Sequence, residues 1–84
     1  MKASTYASLV IIMFIKHHDS ISKSIEGTIR MTDKLCKKFN YKNDLSHMTK
    51  YRIVADLLDN HVLVARTTKK NKKLFLAKKI KDFL

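Results

Sequence analysis

Residues 62–79, VLVARTTKKNKKLFLAKK, decide how the rest of this chain reads. Two runs of strand length, HVLVART from His61 and LFLA from Leu74, are β-branched or aliphatic. They flank a polar tip of Lys69, Lys70, Asn71, Lys72 and Lys73. That arrangement predicts a β-hairpin. Like charges held together repel, so such a tip needs either open solvent or an anionic partner.

The distribution of charge favours the partner. The chain carries a formal net charge of +11 over 84 residues, laid out unevenly. Residues 1–31 and residues 32–60 each carry a net of +2, whereas residues 61–84 set Arg66 and seven lysines against Asp82 alone, a net of +7. Charge gathered on one element is the electrostatic footprint of a polyanion binder. A lysine-rich surface serving solubility would mix the signs more evenly.

Length and composition exclude several classes. A chain of 84 residues makes one domain, spanning 1–84. A domain of this size hides only about 60% of the surface its unfolded form exposes. Cys36 is the only cysteine, so no disulfide staples it; a lone thiol fits a reducing compartment such as the cytoplasm and reads as a small buried apolar residue. Four histidines without further cysteines offer no zinc spacing, so neither metal nor cofactor is expected. With Gly27 the only glycine, there is no glycine-rich phosphate loop. No carboxylate pair or nucleophile–histidine–acid set stands out, so neither an enzyme nor a small-molecule substrate is expected. The apolar run YASLVIIMFI, Tyr6 to Ile15, is half the ~20 residues a spanning helix needs. No small-x-small cleavage site follows it, so neither a membrane nor a targeting role is expected.

Ser4 or Thr5 caps a first helix over 4–18, closed by Asp19 and Ser20. Past Ser8 this helix is apolar on nearly every side. Its own domain covers one face, so a second copy is expected on the other, with Leu9, Ile12, Met13 and Phe14 at a homodimer interface. Residues 20–27, SISKSIEG, read as a helical turn or a loop. Thr28 to Met31 alternates polar and apolar and predicts a short strand. Thr32 then caps a helix over 32–39 that closes at Asn40, a residue tolerant of the left-handed conformation. Asp44 or Ser46 caps the next helix, over 45–59. Met48, Tyr51, Val54, Ala55 and Leu58 share its expected core face; Ser46, Thr49, Arg52, Asp56 and Asp59 lie away from it, with Lys50 and Ile53 on the flanks. The hairpin occupies 61–77, and KKIKDFL, 78–84, forms a turn or short helix with Ile80 and Phe83 or Leu84 on one side. The fold class is α+β, mainly helical.

In this order of helix, short strand, helix, helix, hairpin and terminal helix, the chain resembles the winged helix-turn-helix family of DNA-binding proteins. MTDKLCKKFN is similar to the first motif helix, with Thr32 as cap, Leu35 in the core, Cys36 at the small-residue position and Asn40 at the glycine turn. MTKYRIVADLLDNHVLV resembles the recognition helix running into the wing, with Leu57 and Leu58 in core positions, and RTTKKNKKLFLA looks like the wing. His61 stands where the family usually has glycine, and the turn from Asn40 to Asn43 has none. Small size, lysine in excess of arginine and an apolar first helix look like the compact winged-helix regulators encoded by archaeal viruses, which act in the host cytoplasm.

The resemblance implies sequence-specific binding of double-stranded DNA by a homodimeric transcription regulator. Its half-sites would lie about one helical turn, ~34 Å, apart. The recognition helix would enter the major groove through Ser46, His47, Thr49, Lys50 and Arg52, with Arg52 or Lys50 on guanine and the hydroxyls on phosphate or a base edge. Lys69, Lys70, Lys72 and Lys73 would lie on a phosphate ridge or reach the minor groove. Residue by residue, Arg52 pairing with Asp56, Tyr51 in the core and a solvated His47 are the plainer alternatives. The alternative function is a basic interaction module that uses the same fold on RNA or an acidic protein. A membrane-surface protein anchored by its first helix is a third class.

Overall fold

The computed structural model describes residues 1–17, 24–68 and 71–83, the side chains of Thr68 and Asn71 excepted. Along the chain run α1 (Ala3–His17), α2 (Ile25–Lys38), α3 (His47–Asp59), β1 (Leu63–Thr68), β2 (Asn71–Leu76) and α4 (Lys78–Phe83). The fold is a small, mainly helical α+β arrangement with one two-stranded antiparallel sheet among the described residues. The expected helix limit at His18, its closure at Asp19 and Ser20, and Leu84 lie outside those residues.

In α1 the residues Tyr6, Leu9, Val10, Met13 and Phe14 recur at helical spacing and form the centre of the core. Ile12 and Ile15 point outward, 48% and 40% exposed. No helix among the described residues is long and apolar enough to cross a membrane.

The short strand expected at Thr28 to Met31 does not form, because α2 begins earlier. Ser24 caps it, its Oγ accepting from the Gly27 N–H at 3.1 Å, and Glu26 sits in the first turn. Thr28, Ile29, Thr32, Leu35 and Cys36 are buried on one face. This helical period runs through the four residues whose alternation suggested a strand. Thr32 is therefore interior, not a cap. Its Oγ1 donates to the Thr28 carbonyl at 2.8 Å, and the Thr28 hydroxyl donates to the Ser24 carbonyl at 2.9 Å, so both buried hydroxyls are satisfied within the helix. The motif helix expected over 32–39 thus spans 25–38.

Helices α2 and α3 end the same way. At Asn40 φ is 58° and at His61 it is 59°. The Tyr41 N–H donates to the Cys36 carbonyl at 2.9 Å and the Asn40 N–H to the Lys37 carbonyl at 3.2 Å. In α3 the Val62 N–H reaches Leu57 at 2.9 Å and the His61 N–H reaches Leu58 at 3.1 Å. These are paired Schellman closures with non-glycine residues in the left-handed position. The second closure turns the chain directly from α3 into the hairpin.

Strand register runs from Leu63 opposite Leu76 to Thr68 opposite Asn71. Leu63, Leu74 and Leu76 are buried against the helices. The expected tip is shorter than the sequence suggests, since Lys72 and Lys73 belong to β2. In α4 only Ile80 packs against the core; Phe83, expected on the same side, is 91% exposed.

Polar contacts fix the three long helices around Asp33. Its carboxylate accepts from the Tyr6 hydroxyl and from Asn43 Nδ2, each at 2.9 Å, and from Lys50 Nζ at 3.3 Å. The Lys50 ammonium also lies 5.8 Å from the centre of the Tyr6 ring. Burial, and then the neighbouring Asp33, push the Tyr6 phenol well above its usual range. Burial likewise raises the Cys36 thiol, which is fully buried as a small apolar residue.

Candidate nucleic-acid interface

The rotation of α3 about its axis decides which side chains meet solvent. Ile53 and Val54 are buried, Leu57 and Leu58 pack partly against the core, and Lys50 turns inward to Asp33. The exposed face carries His47, Met48, Tyr51, Arg52, Asp56 and Asp59. The expected core face was thus misplaced at its N-terminal half: Met48 is 71% and Tyr51 45% exposed. The sequence counts Met48 and Tyr51 as apolar and Lys50 as polar, but a charge with a long-range partner is drawn inward and displaces them.

The five expected contacts on this helix separate accordingly. Lys50, its side chain only 11% exposed, is held by Asp33 and does not face a ligand. Ser46 is the N-cap, chosen over Asp44: its Oγ accepts from the Thr49 N–H at 3.2 Å, and the two hydroxyls lie 2.9 Å apart. The helix therefore starts at His47, not at 45. Ser46 and Thr49 thus hold the helix terminus. His47 Nε2 lies 3.0 Å from Glu26 Oε1, an exposed pair joining the starts of α2 and α3. Arg52 is exposed, and among the described residues it makes no ion pair with Asp56 or any other acid.

Lys69 and Lys70 lie outside the described residues. Lys72 and Lys73 lie on opposite faces, as strand alternation requires. Lys72 follows Leu76 and Leu74 on the inner face, beyond the end of the core, opposite Thr67. Lys73 lies on the outer face, opposite Arg66. Arg66 was not among the expected contacts, although counting alternate residues back from the tip finds it.

A cleft of about 300 Å³ opens between the first turn of α2 (Ile25, Glu26), the α3 residues Tyr51 and Leu58, and the inner face of the hairpin at Ala65 and Lys72. The exposed face of α3 and the inner edge of the hairpin therefore border one opening. Of the α1 residues expected at a dimer interface, Leu9, Met13 and Phe14 lie in the protein's own core, because the helical stripe they form faces α2 and α3. Ile12 alone remains available, with Ile15 beside it. Among the described residues, no three His, Cys, Asp or Glu side chains converge as a metal site.

No protein-family model, characterised protein or solved structure matches this chain.

Proposed function

We propose that the protein is a winged helix-turn-helix module that binds double-stranded DNA sequence-specifically as a transcription regulator. In this reading α2 and α3 form the helix-turn-helix and the hairpin forms the wing. The observation that carries it is the shared cleft of Tyr51 and Lys72, which turns an exposed helix face and a cationic strand toward one ligand. A helix with its side chains is about 10–12 Å across and the major groove about 12 Å wide. Asp56 and Asp59 would be repelled by phosphate, so the helix enters by its N-terminal half. Arg52 pairs with guanine, Met48 contacts a thymine methyl, and His47 and Tyr51 flank them. Lys72 takes a phosphate. Lys50 positions the helix through Asp33 and touches no base. Two copies pair through Ile12 and Ile15 of α1.

Titration of a palindromic duplex at increasing salt tests the central claim. Affinity falls by orders of magnitude between 50 and 200 mM salt where six or more phosphates are neutralised. An affinity indifferent to salt rejects the reading. Light scattering of the Ile12→Asp variant tests the pairing: the wild type is a dimer and the variant a monomer, and a monomeric wild type refutes it.

One observation favours a second reading. Phe39, Tyr41 and Tyr51 are all about half exposed, and exposed aromatic rings stack on the splayed bases of single-stranded RNA. Competition between duplex DNA, single-stranded RNA and polyglutamate separates the two. RNA displacing duplex at lower concentration than DNA itself selects the second.

A further inference from the structure

The duplex contact proposed above uses Lys72 and leaves the other face of the hairpin unused. On that outer face the register sets Arg66 directly opposite Lys73. The Arg66 guanidinium lies 5.6 Å from the centre of the Phe75 ring. Beside them is a concavity of about 150 Å³ whose lining includes Phe75, Lys78 and Lys81, and no acidic side chain among the described residues. The backbone fixes this grouping. β2 leads through Ala77 into α4, and the Lys81 N–H donates to the Ala77 carbonyl at 3.1 Å. Like charges directly opposite on paired strands are destabilising. A ligand that supplies dense negative charge converts that repulsion into binding free energy.

We infer that this outer face is a second phosphate-backbone site, so that one protein holds two duplex segments: one against α3 and Lys72, the other against Arg66, Lys73 and Lys78. The first contact rests on the function proposed above; the second rests on strand register. Charge density selects duplex over an acidic protein. Duplex DNA carries one negative charge per ~1.7 Å of axis, whereas even an unbroken acidic strand carries one per ~3.3 Å. Phe75 gives Arg66 a ring to lie on while its remaining donors face outward.

Bridging is measured directly. One duplex is immobilised, the protein is bound to saturation, and capture of a second, fluorescent duplex is recorded. The wild type captures it. The triple variant Arg66→Gln, Lys73→Gln, Lys78→Gln loses capture by about tenfold or more, while its affinity for the immobilised duplex changes by less than about threefold. Thermal melting of that variant unchanged or raised shows that it folds, as relief of the Arg66–Lys73 repulsion requires. A wild type that binds the first duplex and captures no second overturns the inference and leaves the proposed function standing. Capture that survives the triple variant and disappears in Arg52→Ala, Lys72→Ala reports two copies with one site each, and also overturns it. Release of the second duplex by polyglutamate at lower charge concentration than by free duplex assigns an acidic protein to this face and refutes the duplex. A wild type that fails to bind even the first duplex removes the proposed function and this inference together.

Discussion

Lys50 and the cations of the hairpin share a chemistry and have opposite situations. Lys50 is folded inward, with Asp33 at 3.3 Å and the Tyr6 ring beneath it. Arg66 faces Lys73 across the sheet, with no acid among the described residues lining the concavity beside it, and Lys72 follows Leu76 and Leu74 on the inner face, opposite Thr67. In the first region charge is consumed by the fold, tying α1 and α3 to α2. In the second, Arg66 rests on the Phe75 ring but faces a like charge across the ladder. A positive residue is therefore a ligand candidate only when no acid within the chain has already claimed it.

The severest way to break the contrast is Asp33→Ala. It leaves the ammonium of Lys50 without its partner and frees Tyr6 and Asn43. The loss is about 2–4 kcal/mol in urea unfolding, short of the full cost of breaking a buried pair because the Asp33 carboxylate is partly exposed. In a domain this small, where 1 kcal/mol moves the midpoint by ~4–8 °C, that is a large fall in Tm. A change under about 0.5 kcal/mol would show that the cluster is decorative.

Arg52→Ala, on the outer face of the same helix, shifts the balance to binding: about 1–3 kcal/mol of discrimination at one base pair is lost in competition assays, with stability unchanged. Lys50→Met produces the reverse pattern, and altered base preference there would return Lys50 to the interface. For Lys72→Ala the expected change is smaller, a reduction of about one in the slope of log affinity against log salt, equal for all sequences. An unchanged slope would mean that the cleft face of the hairpin does not meet phosphate.

Alkaline titration sharpens the inner region. The Tyr6 phenol is raised above its usual value near 10, so the unfolded chain loses that proton first. Stability from this group is complete below pH 10 and declines as pH climbs past it. Tyr6→Phe flattens that decline; identical slopes in both proteins between pH 9 and 11 would contradict the buried, Asp33-bonded phenol. The smallest expected change is a gain. His61→Gly relieves a left-handed residue at the end of α3 and raises stability by about 0.5–1 kcal/mol in the same unfolding assay.

How far the sequence could be read depended on whether local or distant residues decide each feature. The hairpin was legible because strand pairing and its polar tip are adjacent in sequence. The Asn40 closure was legible for the same reason, since few non-glycine side chains tolerate φ near 58°. The start of α2 was obscured because Ser24 competes with Thr32 as a cap, and four residues of alternation imitate a strand. The facing of α3 was beyond local pattern altogether. It depends on Asp33, seventeen residues before Lys50, and no periodicity of 47–59 contains that information. The first helix misled through its uniform apolarity: the extent of Tyr6 to Ile15 is evident, but which side the rest of the molecule covers is not.

The alternation that sends Lys72 one way and Lys73 the other makes the finger sensitive to phase. Inserting a single uncharged residue between Lys73 and Leu74 would exchange the two side chains across the ribbon without altering the total charge. Two proteins of equal electrostatic content would then grip polyanions from different sides, and geometry alone would account for whatever separates them.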